Sequence, residues 1–335
     1  MSSDKIVLGH GSGGTLMHDL IDSTILKHFP AQNPGSLVDA VSVQAAQDHV
    51  LFTTDSFVVS PQEFPGGNIG DLAVCGTVND LAVMGARPKG LSCGLIIEEG
   101  LELSFLERVL ASMAQMAKTA GVPIVTGDTK VVERGAVDRI FINTSGVGEP
   151  VHAMAGLDAV QPGDAIIING PLGQHGATVM AAREGIAGLG DLRSDVAPLW
   201  GLIDALLEQK VEVRLMRDPT RGGLATTLNE FVAPGRFGIN LDETAFPTDP
   251  AVEAYCDALG LDPLYVANEG KVVMAVAQKD AQRALDILRA QPLGRDAAII
   301  GTVTDEPVGK VVLTTAMGGR RFVTMLAGEQ LPRIC

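Results

Sequence analysis

Short apolar runs alternate with amphipathic stretches along the whole chain. Val38–Val43 and His49–Thr54 have the length and composition of strands bounded by polar turns. Ile69–Met84 and the stretch after Ser104 show the three- and four-residue apolar spacing of helices, and Ser104 with Glu107 has the pattern of a capping box. The alternation continues into the second half and predicts an α/β (α+β) protein with mixed sheets flanked by helices.

The length of 335 residues predicts two domains. The turn Gln161–Asp164 precedes a new strand-like run and marks the start of the second domain. A glycine stretch at Gly170–Gly176 loosely repeats one near the N-terminus, which suggests two halves of related design. The predicted segments are a glycine-rich arm with a helix, an N-terminal domain, a C-terminal α/β domain and a mobile tail: 1–37, 38–150, 151–326 and 327–335.

Composition argues against several classes of protein, namely those that bind nucleic acid, lie in or on a membrane, are secreted, or depend on zinc or disulfides. The formal net charge of −15 argues against binding to nucleic acid or to anionic membrane surfaces. No apolar run reaches membrane-spanning length, and the first residues lack the pattern of a secretory signal. The four cysteines have no paired spacing, so neither a zinc site nor a disulfide framework is indicated. We therefore expect a cytoplasmic protein with no membrane segment.

The N-terminal glycines predict a phosphate-binding loop. Gly9, Gly11 and Gly14 satisfy G-x-G-x-x-G between an apolar run and a helical pattern, so a dinucleotide site is one interpretation. Against it, the leading run Lys5–Leu8 is short, and the nearest acid, Asp39, begins a strand instead of ending one. Glycines with free N–H groups also cradle the phosphates of a mononucleotide, which is the favoured interpretation.

Acidic residues in the first domain predict a cation site. Asp55 stands at the end of a strand, where it is placed to meet a metal ion, although a turn-capping Asp is the alternative. Asp80 lies beside Asn79 in an otherwise apolar helical turn, and a buried acid needs a partner. Asp71 falls on the opposite side of an ideal helix from Asp80, so it would act from the first turn.

Further candidate groups follow strands and turns. Asp128 and Lys130 come directly after a short apolar strand, a position that α/β proteins use for chemistry. Asp218 precedes a proline turn and two glycines at the start of the helix Leu224–Phe231, which presents N–H groups to an anion. Glu269 borders an apolar strand, where burial would raise its pKa toward the range of acid–base catalysis.

The last residue of the sequence is Cys335. Pro332 favours an extended backbone, in which Arg333 and Cys335 point to the same side, so Arg333 is expected to offset the negative charge beside the thiol. The local sequence leaves a stray free thiol and a reactive group as equal alternatives.

Seven segments, taken together and in order, resemble the HypE family of hydrogenase maturation factors over the whole chain. They are HGSGG (10–14), TTDSF (53–57), the helical segment 76–85, TGDTK (126–130), DPTRGG (218–223), ANEGK (267–271) and PRIC (332–335). The wider superfamily includes aminoimidazole ribonucleotide synthetase and selenophosphate synthetase. The resemblance implies a two-domain synthetase-like architecture, an N-terminal domain that binds ATP and forms a homodimer, and ATP with Mg²⁺ as cofactors.

Carried over to the matching positions, the resemblance also implies the site residues. Those near Mg²⁺ are Asp55, Asp80 and Asp218; those near the nucleotide are Gly11, Gly13, Gly14, Asp71, Asn79, Asp128, Thr220 and Gly222; the catalytic ones are Cys335, Lys130 and Glu269.

The function implied by the resemblance is ATP-dependent dehydration of an S-carbamoyl group on Cys335 to a thiocyanate, which supplies cyanide to the iron of nickel–iron hydrogenase. The implied partners are the carbamoyl-transferring factor HypF and the iron scaffold HypC–HypD. Lys130 and Glu269 remain alternatives for the base that removes the nitrogen protons. Two other functions stay open: a superfamily kinase acting on thiamine phosphate or selenide with a non-essential tail, and a non-catalytic nucleotide-binding protein.

Overall fold

The computed structural model describes residues 9, 14–25, 39–44, 49–186, 191–326 and 333–335. The elements of the first half are α1 (Thr15–Leu20), a π-helical turn (Ile21–Ile25), β1 (Val41–Gln44), β2 (His49–Phe57), β3 (Glu63–Phe64), β4 (Gly67–Asn68), α2 (Ile69–Val83), β5 (Ala86–Glu98), α3 (Leu103–Ala120), β6 (Ile124–Val132) and β7 (Ile140–Pro150). Those of the second half are β8 (Ala165–Ile168), α4 (Gln174–Glu184), α5 (Trp200–Glu208), β9 (Val213–Arg217), α6 (Gly223–Val232), β10 (Gly238–Asp242), α7 (Pro250–Leu259), β11 (Val273–Val276), α8 (Ala281–Arg289), β12 (Ala298–Thr304), β13 (Val311–Thr314) and β14 (Arg320–Val323).

The first half is built on a five-stranded sheet in the order β1-β2-β7-β5-β6. β5 and β6 are parallel, and the other neighbours are antiparallel. Parallel neighbours need a crossover, which α3 provides by burying Phe105, Val109 and Met113 against one face of the sheet. The opposite face of this sheet is not covered by any described helix of the chain.

α2 lies between the first sheet and the second half, which explains why nearly all its side chains are buried. Near its start it packs in the core beside Phe57 and Ile142, and near its end Val83 packs against Leu199 and Leu202 of the second half. The helix ends at Val83, and Gly85, two residues further on, has a φ of 73° that suits glycine. A helix in this position connects both halves of the molecule.

The second half is built on a seven-stranded sheet in the order β14-β13-β10-β12-β8-β11-β9. Helices cover both of its faces: α5 and α8 pack on the side of Ile167 and Met274, and α6 packs on the side of Ile168 and Val273. Strands covered on both faces need no alternation, which accounts for the uninterrupted apolar runs of β8 and β11.

The expected mixed α/β architecture is confirmed, with local corrections. The capping box at Ser104 was wrong: α3 begins at Leu103, and its N-cap Glu102 makes no side-chain capping bond. The sequence pattern also missed α7, although Asp249 caps it and Pro250 occupies its first turn. The strand expected at Lys5–Leu8 lies outside the described residues, and the domain bounds stay predictions. No described helix is long and apolar enough to cross a membrane.

Candidate functional site

A cavity of about 300 Å³ opens between the edge of β2, α2 and the turn that precedes α6. Its lining is rich in charge, since it includes six acids, two arginines and a thiol: Asp39, Asp55, Asp80, Asp218, Glu230, Glu269, Arg217, Arg221 and Cys335. The elements of both halves therefore contribute to one concave site, the usual setting for ligand binding.

Three acidic side chains from separate segments converge in this cavity. Carboxylate oxygens of Asp39, Asp80 and Asp218 lie within 4.8 Å of one another, an arrangement found once in the part of the chain that the structure describes. The Thr53 hydroxyl lies 2.7 Å from Asp80 Oδ2 and 2.8 Å from the main-chain oxygen of Asp39. Asp55 lines the same cavity beside Asp80. The structure thus brings together the three predicted metal-binding acids and adds Asp39.

Burial raises the pKa of all four of these carboxyl groups. It raises the pKa of Asp39 to about 7, although Arg217 at 2.7 Å opposes the shift. Burial and the neighbouring Asp55 and Asp218 hold the pKa of Asp80 well above its usual range. The pKa of Asp55 and that of Asp218 are raised mainly by burial.

Such a cluster has the properties of a divalent-cation site. Crowded buried carboxylates repel one another, and a bound cation removes that repulsion. Asp39 Oδ2 is buried and has no hydrogen-bond partner among the described residues. Oxygen ligands of this kind are the ones that Mg²⁺ prefers, so the donor set fits that ion.

Glu269 faces the cavity from a tightly held loop. Its side chain is buried, and Oε1 has no hydrogen-bond partner within the described parts of the chain. Asp195 fixes the loop by accepting the N–H groups of Glu269 and Gly270 at 3.2 Å each, and Lys271 Nζ lies 2.8 Å from Asp195 Oδ2. A Cβ on Gly270 would come within 1.8 Å of the Asp195 carbonyl, so only glycine fits. Burial, and then Asp218, hold the pKa of Glu269 well above its usual range.

The turn before α6 supplies the second half's contribution. The Thr220 hydroxyl donates to Asp218 Oδ2 at 3.0 Å. Gly222 is the N-cap of α6 with a φ of 74°, and a Cβ there would lie 2.1 Å from a side-chain oxygen one turn along the helix. Asn268 connects this turn to the Glu269 loop, because its Nδ2 donates to the Pro219 carbonyl at 2.8 Å.

Ile334 and Cys335 are buried, and Arg333 before them is half-buried. Ile334 is 2% exposed and Cys335 is 8% exposed. The Val58 N–H donates to the main-chain oxygen of Cys335 at 3.0 Å, and the Ser60 N–H donates to that of Arg333 at 3.2 Å. These bonds pair the chain end with the segment after β2 and place the thiol at the cavity.

The cation that faces Cys335 is Arg221, and the expectation that Arg333 would do so was wrong. Arg333 has a left-handed backbone with a φ of 49°, so its side chain turns away: Nε donates to the Val58 carbonyl at 2.9 Å, and Nη2 lies 2.9 Å from Asp138. Burial raises the pKa of Cys335 to about 11, and Arg221 opposes the shift only in part.

Two predicted nucleotide-binding residues are bonded to protein groups and do not line the cavity. Asp71 accepts the Asn68 N–H at 2.9 Å and completes a capping box at the start of α2. Asn79 Nδ2 donates to the Ala197 carbonyl at 3.1 Å, and its Oδ1 accepts the Leu199 N–H at 2.8 Å. These contacts hold α2 in place, and a role of either side chain in nucleotide binding stays a prediction.

Asp128 and Lys130 lie on the edge strand β6, away from the cavity of their own chain. They are exposed and hydrogen-bonded to each other. In the register of the sheet, Asp128 shares a cross-strand row with Ser56, whereas Asp55 belongs to the adjacent row, so Asp128 and Asp55 project from opposite faces. Three strand spacings, about 14 Å, also separate β6 from β2.

Of the predicted glycine loop, the structure describes Gly9 and Gly14. Gly14 is the N-cap of α1, and its carbonyl accepts the Met17 N–H at 3.0 Å. Gly11 and Gly13 lie outside the described residues.

Several residues in and beside the site are not selected from sequence, among them Asp39 and Arg221 in the cavity and His175 beside it. The sequence presents Asp39 only as the nearest acid for a dinucleotide site, because its approach to Asp80 is a tertiary contact that no local pattern contains. His175 lies in the glycine stretch 170–176 and contacts the Ile334 carbonyl through Nε2 at 2.7 Å. The sequence signal that could have selected His175 is its position in this glycine stretch at the start of a predicted helix.

Family models match most of the chain. The model for the N-terminal domain of AIR synthase related proteins matches residues 38–149, and the model for their C-terminal domain matches residues 161–314. The two sheets and the acidic cavity between them therefore define a protein of the AIR synthase related class.

Full-length relatives narrow this class. The carbamoyl dehydratase HypE of Rhodobacter capsulatus is 49% identical over 341 residues, which cover 100% of this chain and 99% of the relative. A crystal structure of a HypE–HypF complex contains a chain that is 43% identical with a TM-score of 0.86, covering 92% of this chain and 99% of that one. HypE in complex with ATP is 47% identical with a TM-score of 0.83, covering 99% and 100%. The chain belongs to the carbamoyl dehydratase HypE family.

Proposed function

We propose that this chain is an ATP-dependent carbamoyl dehydratase whose substrate is an S-carbamoyl group carried on its own Cys335. The observation that carries the proposal is the burial of Cys335 in the cavity that also holds the carboxylate cluster and Glu269. Relatives at 46–49% identity bear the name carbamoyl dehydratase. The product is a thiocyanate, which provides the cyanide ligands for the iron of nickel–iron hydrogenase.

The chemistry requires activation of the carbamoyl oxygen, which is a poor leaving group. Transfer of the γ-phosphoryl group of ATP forms an oxygen–phosphorus bond on that oxygen and releases ADP. The carbon–oxygen bond then breaks with phosphate as the leaving group, and the nitrogen loses both protons as the carbon–nitrogen triple bond forms. S-carbamoyl-Cys335 and ATP thereby give S-cyano-Cys335, ADP, phosphate and a proton.

The carboxylate cluster is proposed to hold the magnesium–nucleotide complex. Asp39, Asp80 and Asp218, with Asp55 beside them, would bind Mg²⁺, which supplies neutralisation of phosphate charge. Thr220 and Gly222, at the N-terminus of α6, present groups suited to phosphate oxygens. Gly11, Gly13 and Gly14 remain the proposed cover over the nucleotide.

Glu269 is the proposed base for a nitrogen proton. It lines the same cavity as Cys335, and its Oε1 has no other hydrogen-bond partner among the described residues. A carboxylate with a raised pKa is a stronger base once it is ionised. Asp195 and the glycine at 270 hold it in one orientation, so the carbamoyl nitrogen would meet a fixed acceptor.

We also propose a homodimer in which Lys130 and Asp128 reach the site of the second copy. Both project from the uncovered face of the first sheet. That face also carries large apolar side chains that are between 38% and 54% exposed: Val41, Val43, Phe52, Ile96 and Val147. An exposed apolar patch on a sheet is typical of an interface. Lys130 is far from the cavity of its own chain but would be available to a partner's.

Exchange with other proteins requires the tail to move. Cys335 is 8% exposed, so a transferase cannot load a carbamoyl group onto it in this arrangement. A solved complex joins HypE to HypF, and HypF is the proposed donor for this chain. HypC–HypD as the acceptor of cyanide and a cytoplasmic location remain predictions.

Mass spectrometry of the carbamoylated protein tests the proposal. After addition of Mg-ATP, we expect the C-terminal peptide to lose one water with formation of one ADP. The Cys335→Ala variant should show no such coupled turnover. Full ATP turnover without Cys335 would favour the superfamily kinase, and a stable carbamoyl group in the presence of Mg-ATP would favour a non-catalytic nucleotide-binding protein.

A further inference from the structure

His175 is a buried side chain outside the acidic cavity. It occupies the second position of α4, is 0% exposed, and meets the ring of Phe64 edge-on at a centroid distance of 5.3 Å. Both ring nitrogens make hydrogen bonds: Nδ1 lies 2.8 Å from Ser194 Oγ, and Nε2 lies 2.7 Å from the Ile334 carbonyl oxygen. Both polar atoms of this fully buried ring therefore have a specific hydrogen-bond partner, which fixes the orientation of the ring.

The partners decide where the imidazole proton is. A carbonyl oxygen only accepts hydrogen bonds, so Nε2 carries the proton that it donates to Ile334. Ser194 Oγ accepts the Val196 N–H at 3.2 Å, which leaves its own hydroxyl free to donate to Nδ1. Burial lowers the pKa of His175, in agreement with a neutral ring. Ser194 therefore fixes the tautomer that can hold Ile334.

This bond acts on the peptide group that immediately precedes Cys335. The neighbouring main-chain bonds from Val58 and Ser60 would form with any sequence at the chain end. His175 and Arg183 add side-chain donors: Arg183 Nη2 lies 2.9 Å from the Arg333 carbonyl. Of the two carbonyl groups held by these side chains, the one that accepts from His175 is nearer in sequence to the reacting sulfur.

The loop that orients His175 also orients the proposed base. Ser194 contacts His175, while the next residue, Asp195, accepts the N–H groups of Glu269 and Gly270. A Cβ on Gly66 would come within 2.9 Å of the Ser194 nitrogen, so this part of the loop is closely packed. One short segment therefore sets the position of the tail and of Glu269 relative to each other.

We propose that His175 is a positioning residue that holds the end of the tail, through Nε2–H and the Ile334 carbonyl, so that the group on Cys335 is aligned with Glu269. The inference rests on the proposed dehydration. His175 does not contact the reacting atoms, so it acts on the population and alignment of the inward tail, and not on ATP binding.

Matched substitutions separate this role from packing. In His175→Gln the side-chain amide nitrogen reaches the place of Nε2 and can still donate to Ile334, whereas in His175→Asn it reaches only the place of Nδ1. We expect His175→Asn to slow single-turnover dehydration of carbamoylated protein by about tenfold, the effect of one aligned hydrogen bond. His175→Gln should recover most of that loss, and ATP affinity should stay unchanged in both.

A second measurement follows the tail without the reaction. Alkylation of unmodified Cys335 by iodoacetamide should be faster in His175→Asn than in the wild type, and close to wild type in His175→Gln. Equal rates in all three proteins, or equal defects in both variants, would overturn the assignment. If carbamoylated wild type does not dehydrate at all, the proposed function fails, but the alkylation series still tests the hold on the tail.

Ser194→Ala provides an independent variant if His175→Asn does not fold. It keeps the ring and removes the hydroxyl that selects the tautomer, together with the bond that this hydroxyl accepts from the Val196 N–H. We expect slower dehydration and faster alkylation in the same proportion, with Ser194→Thr restoring both. Wild-type rates of dehydration and alkylation in Ser194→Ala would contradict the proposal, whatever the rates in Ser194→Thr.

Discussion

Cys335 and Glu269 line one cavity, and burial raises the pKa of both groups. A thiol kept in its neutral form is a weak nucleophile. That property suits a residue that carries the reacting group into the site and does not itself attack a substrate there. Burial raises the pKa of the thiol more than Arg221 lowers it, and Glu269, Asp55 and Asp218 add to the effect of burial.

Thiol reactivity tests this reading of Cys335. Because the pKa is raised to about 11, the thiolate is scarce at pH 8 and its fraction keeps rising beyond pH 10. We expect the alkylation rate of the native protein to climb through this range, while a free peptide ending in the same four residues levels off near the ordinary thiol pKa. A plateau of the native rate below pH 9 would contradict the buried, neutral thiol.

Substitution of Glu269 should separate activity from stability. Glu269→Gln keeps the shape of the side chain and removes the base, so dehydration should fall by about a hundredfold or more. Binding of ATP should change little. The exposed Glu253→Gln is the matched control and should retain full activity. A Glu269→Gln variant with wild-type dehydration would remove Glu269 from the mechanism.

The same variant should be more stable than the wild type at pH 8. The pKa of Glu269 is raised in the folded state. As the pH rises above the ordinary pKa of glutamate, this side chain therefore ionises in the unfolded chain first, and the folded state loses stability relative to the unfolded one. The Glu269→Gln variant does not lose stability in this way, because glutamine does not ionise. Thermal unfolding should show a higher Tm for Glu269→Gln at pH 8 and nearly equal Tm values near pH 4. A lower Tm at pH 8 would show that Glu269 is ionised and stabilised in the fold.

Among the secondary-structure elements, α2 has the widest role. It is capped by Asn68 and Asp71, carries Asp80 to the cavity, and binds the second half through Asn79. The acids next to strand ends and in apolar turns could be selected from sequence, because their surroundings are local. The assignments of Asp71 and Asn79 could not be settled locally, since capping groups and ligands share the same residue types.

Asn79→Ala tests the structural role of that side chain. It removes donors and an acceptor from buried main-chain groups, so we expect a loss of about 2–3 kcal/mol in the free energy of unfolding by urea. The exposed Gln282→Ala on α8 should change stability little. Unchanged stability with weaker ATP binding would instead restore the predicted contact with nucleotide.

At the level of the whole molecule, strand order explains what the sequence could not show. The motif at 126–130 was expected beside the other acids, but side chains alternate along a strand, and β6 lies at the far edge of the sheet. The direction of Asp128 and Lys130 follows from the register of four strands, which no local pattern contains. The fold class, by contrast, follows from apolar spacing alone.

Mixed dimers test whether Lys130 acts across an interface. Lys130→Ala and Glu269→Gln should each be inactive alone. In a random mixture, half of the dimers would contain one copy of each variant. Each of these mixed dimers has one complete site out of two, so dehydration should return to about a quarter of the wild-type rate. No recovery in mixtures that exchange subunits would place Lys130 outside the partner's site.

In the proposed mechanism, ATP activates the oxygen of a carbamoyl group on Cys335. A heavy-oxygen label in the carbamoyl group traces this oxygen through the reaction, because the proposed steps transfer it to phosphate. After a single turnover with Mg-ATP, we expect one labelled oxygen in the released phosphate and an unlabelled thiocyanate on the C-terminal peptide. Label that appears in water, or phosphate released without label while the thiocyanate forms, would contradict this mechanism.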